Sequence, residues 1–353
     1  ALGASQHDDM LRPTHLRVNL DRIAANFRAL RAHVGATRVM PILKANAYGH
    51  GLVPVAKRVV AEGATFLGVA YLEEGLELRR AGVQTPVLVL GGITGRQIPM
   101  FIEHDLTLTA SSVEKLLAIE EAAAAMGRRA RVHLKIDTGM ERIGVRWYGA
   151  APLLEASLSC RHVDIEGVYS HLARSDEADP TFTRTQLERF LGVCRFWEDR
   201  SLPTPVRHIA NSGGILQHPE THLDMVRPGI ALFGGLPDPA CACPIALLPA
   251  LTWVSRVVYF KVVRSGSPVS YGSTWFPSED TRVITVPVGY GDGYLRSMTG
   301  LAHVLVRGRR YPVVGRICMD QIMIDIGKDS AWNGDEVVLM GEQDGVTISA
   351  DEL

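Results

Sequence analysis

The sequence predicts a chain of class α/β followed by all-β: an N-terminal (β/α)8 TIM-like barrel, then a C-terminal antiparallel β domain. Three observations lead there. The 353 residues exceed the roughly 250–300 at which a single core stops growing, so more than one domain is expected. From residue 20 to about 235, short apolar runs alternate with helix-like stretches. After Pro244 the texture changes to closely spaced β-rich segments punctuated by Gly, Pro, Asp and Asn.

The alternation can be followed along the chain. Ile23, Phe27 and Leu30 fall at helical spacing and precede the apolar run Val39-Met40-Pro41-Ile42-Leu43. Phe66 to Ala70 is the next run, followed by a charged helical stretch from Leu72 to Arg80. Val87 to Leu90 ends at Gly91-Gly92, and Leu106 to Thr109 precedes an Ala/Glu-rich helix from Val113 to Met126. Arg131 to Ile136, Val163 to Tyr169, Val206 to Ala210 and Asp224 to Val226 complete eight strand-like runs. Continuous apolar strands between helices indicate a parallel sheet covered on both faces, and eight units suggest a closed barrel. Periodicity leaves a doubly wound sheet as the alternative. The β segments follow at Leu251 to Val263, Thr281 to Val288, Ala302 to Val306, Tyr311 to Ile317, Ile322 to Ile326 and Glu336 to Met340. Domain boundaries are expected at residues 11–244 and 245–353, with the proline-rich Cys241 to Pro249 as the junction.

Composition narrows the function classes. A net charge of −1 gives no basic footprint for nucleic acid or an anionic membrane surface. No apolar run reaches the ~20 residues of a membrane helix. The polar start, Ala1 to Pro13, lacks the basic-then-apolar pattern of a signal peptide and opens on Ala, which reads as a processed or trimmed start. The five cysteines form neither a Cys-x-x-Cys pair nor a disulfide framework, so reduced thiols and a cytoplasmic location are expected. Cys241-Ala-Cys243 lacks the second pair or histidine cluster of a zinc site, and no metal is expected.

The chemistry concentrates at strand ends. Lys44 closes the first apolar run, on what would be the catalytic C-terminal face of a barrel. Partial desolvation there would lower its pKa and make its amine a nucleophile for a carbonyl cofactor; equally, a lysine at a strand end can simply reach water. Asn211-Ser212-Gly213 and Gly229-Ile230 fall after strands seven and eight, the usual phosphate position of such barrels, although ordinary turn chemistry also uses Ser and Gly. Position alone leaves Arg227 open as a surface ion-pair residue, His171 as a packed histidine and Tyr271 as a half-buried β-domain aromatic.

Eight segments, in order, resemble the signatures of the alanine racemase family. They are Leu43-Lys44-Ala45-Asn46-Ala47-Tyr48-Gly49-His50-Gly51, Lys135 to Gly144, Ser170 to Ala173, His208 to Gly213, Asp224 to Ile230, Val269 to Gly272, Val288 to Gly293, and Cys318-Met319-Asp320. The resemblance implies a pyridoxal-phosphate (PLP) isomerase with the cofactor on Lys44 as a Schiff base. It implies phosphate contacts from Tyr48, Asn211, Ser212, Gly229 and Ile230. It places Arg227 at the pyridine nitrogen, where a group that can only donate leaves the nitrogen unprotonated and weakens the ring as an electron sink. Two bases are implied, Lys44 and Tyr271, the tyrosine entering from the second subunit of a homodimer and assisted through His171 and Arg227. A tyrosine with a reference pKa of about 10 needs cationic neighbours for that role. Arg142, Met319, Tyr290 and Asp320 are implied around the substrate, and Lys135 as a carbamylated lysine that fixes Arg142.

Two departures from the family pattern stand out. Phe233 sits where the family often has Tyr, with little effect expected. The chain stops at Leu353, before a tyrosine-bearing segment and an arginine-rich strand that the family usually carries, so an open sheet edge and altered activity or dimer stability are expected. The leading expectation is interconversion of L- and D-alanine, for peptidoglycan supply or D-alanine breakdown. Alternatives are a serine, lysine or broad-specificity racemase, a non-catalytic PLP carrier, and a metal-dependent barrel hydrolase, against which the scattered histidines argue.

Overall fold

A computed structural model describes residues 11–353. The polar start read above as free of a signal pattern therefore falls largely outside the described residues. The chain forms two compact units, residues 20–250 and residues 251–353 joined by 11–19. This differs from the expected boundaries at both ends. Strand β1 (His15–Val18) belongs to the β unit because its backbone is paired antiparallel with β11 (Leu251–Arg256), His15 opposite Val254 and Val18 opposite Leu251.

The larger unit is a closed parallel barrel. Its strands are β2 (Arg38–Val39), β3 (Leu67–Val69), β4 (Val87–Val89), β5 (Leu108–Ala110), β6 (Ala130–Asp137), β8 (Val163–Tyr169), β9 (Val206–His208) and β10 (Met225–Val226). A two-residue strand, β7 (Val145–Arg146), lies against the end of β6. Bridges at Ile42–Gly68 and Leu88–Thr107 join β2 to β3 and β4 to β5. The Asp224 amide donates to Arg207 O at 3.2 Å and the Arg227 amide to Ala210 O at 3.0 Å, joining β9 to β10; β10 in turn pairs with β2. The ring is thus complete, which removes the two open edges a doubly wound sheet would keep. Strands β3, β4 and β5 are buried throughout, as expected where helices cover the outer face. The covering helices bury one stripe each: Leu20–Val34 does so through Ile23, Phe27, Leu30 and Val34. Ser112 caps Val113–Ala125 by accepting the Lys115 amide at 3.1 Å.

The smaller unit is antiparallel. Its remaining strands are β12 (Tyr259–Val263), β13 (Thr281–Val286), β14 (His303–Val306), β15 (Arg309–Val314), β16 (Ile322–Gly327), β17 (Glu336–Gln343) and β18 (Val346–Ile348). The ladder runs β1-β11-β17-β14-β15-β16-β13-β12, with β18 folded back on β17. Residues of β16 alternate buried and half-buried, the period-two signature of a sheet with one face on a core of Val257, Ile284, Val286, Tyr294 and Ile324. The single run expected over 251–263 is two strands, because after Arg256 the chain leaves β17 and pairs with β13. Strands β1 and β18 are short, and their pairing partners alone define them.

Candidate active site

The loop after β2 departs from ordinary backbone geometry at the residue following Lys44. Ala45, Asn46, Ala47 and Tyr48 all lie in the left-handed region, at φ of 54°, 55°, 53° and 53°. None is glycine, and left-handed geometry costs such residues on the order of 1–2 kcal/mol each. The turn is held by side chains: Asn46 Oδ1 accepts the Leu52 amide at 2.8 Å, and His50 Nδ1 donates to Tyr48 O at 2.9 Å. Lys44 emerges half-buried at its start. Burial lowers its amine below the ordinary lysine value, the positive Arg142 lowers it further, and Glu74 opposes them.

Tyr48, at the end of the same turn, packs against Phe233, ring centroids 5.1 Å apart. Phe233 also stacks on His50 at 4.4 Å, so the ring that departs from the family pattern supports this turn by packing. A β-carbon at Gly229 would run into Tyr48 Oη, so a side chain at this position would displace the tyrosine hydroxyl. Ser212 Oγ accepts the amides of Gly229 at 3.1 Å and Ala231 at 3.2 Å, which leaves its own proton free to donate. Asn211 is committed mainly to the protein: its Oδ1 caps the helix Ser212–Gln217 through the Gly214 amide and accepts from Ser175 Oγ, and its Nδ2 donates to Leu172 O.

Arg227 is 3% exposed. Its guanidinium donates to His208 Nδ1 at 2.8 Å, Ser170 O at 2.7 Å, Ile209 O at 3.1 Å and His171 Nδ1 at 3.2 Å. Burial pushes it down to about 10, so it remains a cation at neutral pH. An arginine can only donate, so His208 and His171 must both accept through Nδ1 and carry their protons on Nε2. His208 Nε2 then donates to His133 Nδ1 at 2.8 Å. Burial and the Arg227 charge hold all three rings neutral, His133 being lowered to about 3. Tyr169 stacks flat on His208 at 4.8 Å, and burial pushes its phenol up to about 12.

Lys135 is 4% exposed, with Nζ 4.1 Å from the centroid of the Tyr169 ring. Burial, then Arg227 and Arg142, hold it well below the usual lysine range against the opposing Asp137, which favours the neutral amine. The loop that delivers Arg142 is shaped by Asp137, whose Oδ1 accepts the amides of Gly139, Met140 and Glu141.

Lys44, Tyr48, Lys135, Arg142, His171, Asn211, Ser212, Arg227, Gly229 and Ile230 line one cavity of about 570 Å3 in the barrel unit. The remaining expected residues lie in the β unit. There the Tyr290 amide donates to Cys318 O and the Gly291 amide to Met319 O, which brings Tyr290, Met319 and Asp320 together. Ser270 Oγ donates to Arg316 O at 2.6 Å and anchors the neighbouring turn Tyr271–Ser273. Tyr271 is 70% exposed, so the half-buried aromatic left open by the sequence is excluded. Reasoning from sequence missed Glu74, His133, Asp137 and Ser175. His133, Lys135 and Asp137 alternate with Val132, Leu134 and Ile136, and polar residues at every second place of a buried strand are the signal that marks an inward-facing polar stripe.

The cavity fits PLP on the chemistry of its donors. It offers a lysine amine of lowered basicity, hydroxyls from Tyr48 and Ser212 beside a bare Gly229, and a buried arginine that can only donate. Gly229→Ala is expected to weaken PLP binding by about tenfold to a hundredfold, the value of one lost hydrogen bond to a charged group. Equilibrium titration of the cofactor absorbance checks this; unchanged affinity would remove Tyr48 and Gly229 from the anion site.

Fold and cavity together define a PLP-dependent barrel enzyme. Residues 18–237 match the family model "Alanine racemase, N-terminal domain" and residues 250–353 match "Alanine racemase, C-terminal domain". The chain is 44% identical over 346 residues to the alanine racemase of Symbiobacterium thermophilum, covering 98% of this chain and 92% of that protein. It is similar to the crystal structure of alanine racemase from D-cycloserine-producing Streptomyces lavendulae, with TM-score 0.92, 38% identity and coverage of 97% and 91%. It is also similar to a histidine racemase from Leuconostoc mesenteroides, with TM-score 0.88, 29% identity and coverage of 100% and 93%. The chain belongs to the alanine racemase family, whose members are PLP-dependent isomerases.

Proposed function

We propose that this chain interconverts L- and D-alanine, with Lys44 and Tyr271 as the two bases. The observation that carries the reading is the half-buried Lys44 at the end of a barrel strand, sharing a cavity with a donor-only Arg227. When bound, PLP withdraws electrons from the α-carbon of the attached amino acid and makes its α-proton acidic. Lys44 Nζ, of lowered basicity, takes or returns that proton on one face. Tyr271 of the partner subunit does so on the other face, in a homodimer that shares its sites. Arg227, which can only donate, would hold the pyridine nitrogen of the cofactor in its unprotonated form and so restrain side reactions. Its bond to His171 Nδ1 leaves the Nε2 proton of His171 to hydrogen-bond the tyrosine.

Tyr48, Ser212, Gly229 and Ile230 hold the phosphate, with Asn211 setting the helix start that bears Ser212. Arg142 receives the substrate carboxylate; Tyr290, Met319 and Asp320, which the β unit holds together, are the residues the family resemblance assigns to substrate entry. An uncharged Lys135 amine is the form that reacts with carbon dioxide, and its carbamate would pair with Arg142. The five cysteines are all unpaired, which supports a cytoplasmic location. No helix among the described residues is long and apolar enough to cross a membrane. D-alanine for peptidoglycan, or its breakdown, is the physiological reading.

The test is D-amino-acid formation from L-alanine, L-serine, L-lysine and L-histidine in parallel with added PLP. Turnover confined to alanine is expected. Faster turnover of a larger substrate would reassign the specificity, and PLP binding without turnover would point to a carrier.

A further inference from the structure

Glu74 lies in the first turn of the helix Leu72–Arg80. Its Oε2 accepts the amides of Ala70 at 2.8 Å and Tyr71 at 3.2 Å, as a glutamate three places into a helix does when it caps its own helix start. Capping requires nothing more. The other oxygen, Oε1, reaches to a different loop and accepts the amide of Ala45 at 2.6 Å. Ala45 is the residue after Lys44 and the first of the four left-handed residues. One carboxylate therefore ties the loop after β2 to the loop after β3, and Lys44, Ala70 and Tyr71 all line the cavity.

We propose that Glu74 is a positioning residue for Lys44: its carboxylate clamps the left-handed turn to the neighbouring loop and aims the lysine stem into the cavity. The groups acting on that amine come from three elements. Arg142, after β6, disfavours the charged form, Glu74 favours it, and His171, after β8, is neutral and feels the lysine in return. Glu74 is the carboxylate in this set. It opposes burial and Arg142, so its removal leaves the amine less basic still. The inference rests on the reading that Lys44 carries PLP.

The test uses the apoprotein, with PLP itself as probe, and two substitutions that separate reach from charge. Glu74→Asp keeps the charge and the helix cap but is one methylene too short for Ala45. Glu74→Gln keeps the length and loses the charge. PLP affinity, the rate of PLP capture across a pH series, and the melting temperature are measured for both. Glu74→Asp is expected to bind PLP about tenfold more weakly, with the parent's midpoint in the pH–rate profile. Glu74→Gln is expected to lose affinity and move the midpoint down by about half a unit or more, because the neutral amine then persists to lower pH. Parent affinity in Glu74→Asp would overturn the clamp, and a parent midpoint in Glu74→Gln would overturn the charge. A lowered melting temperature with neither change would make Glu74 a helix cap only. Borohydride trapping in the parent separates the two failures. An adduct on another lysine removes the reading beneath the proposal, whereas an adduct on Lys44 with unresponsive variants removes the role of Glu74 alone.

Discussion

Lys44→Ala is expected to abolish the borohydride-stable PLP adduct and to lower racemisation by on the order of 10⁴-fold or more, because covalent attachment and one proton-transfer group are lost together. The cavity makes this a sharp test, since it holds two lysines of depressed basicity. Lys135 is the more deeply buried, 4% exposed and seated on the Tyr169 ring. Lys44 is half-buried and stands at the start of the turn that ends in Tyr48. If the phosphate is held at Tyr48 and Ser212, the lysine on that same turn is the one placed to attach. Peptide mapping of the reduced parent decides between the two. An adduct on Lys135, or one persisting in Lys44→Ala, would transfer the cofactor assignment to the deeper lysine.

Tyr271→Phe tests the second base, and its outcome has two parts. Racemisation should fall about 10²–10⁴-fold in both directions, since the overall equilibrium constant between enantiomers is fixed. Exchange of the α-hydrogen with solvent should survive for one enantiomer, the one whose proton Lys44 removes, and be lost for the other. Equal loss from both enantiomers would remove Tyr271 as a base and leave it a substrate contact. The shared-site reading adds a mixing experiment. Lys44→Ala and Tyr271→Phe are each nearly inactive, but a mixed dimer would contain one intact site beside one doubly altered site. Re-equilibrated mixtures should then regain roughly a quarter of the parent activity. No regain despite exchange of subunits would place both bases on the same chain.

The cofactor reading was legible because the segments that build the cavity are contiguous motifs. Lys44 and Tyr48 lie on one turn, and Ser212, Arg227 and Gly229 on two adjacent loops, so a linear pattern already held most of the cavity. Glu74 was hidden because its partner, Ala45, is 29 residues away and lies on another loop. The His133–His208–Arg227 chain was hidden for the same reason: its members come from β6, β9 and the end of β10, and only closure of the ring brings them into contact. Strand β1 was missed because four residues carry too little pattern, and their identity as a strand comes from β11, more than 230 residues later.

Sequence alone determined the two-domain order, the alternation of eight apolar strands with helices, the antiparallel texture of the second domain, and the contiguous motifs that line the barrel cavity, because each is encoded over a few neighbouring residues. The tertiary structure decided that the parallel sheet closes, that residues 11–19 belong to the β unit, and that Arg227 is a buried cation that fixes the tautomers of two histidines. It also decided that the turn after Lys44 is left-handed and held from a distance. These are properties of pairing, burial and field, which depend on which distant groups exclude water from one another, and no local stretch of chain carries that information.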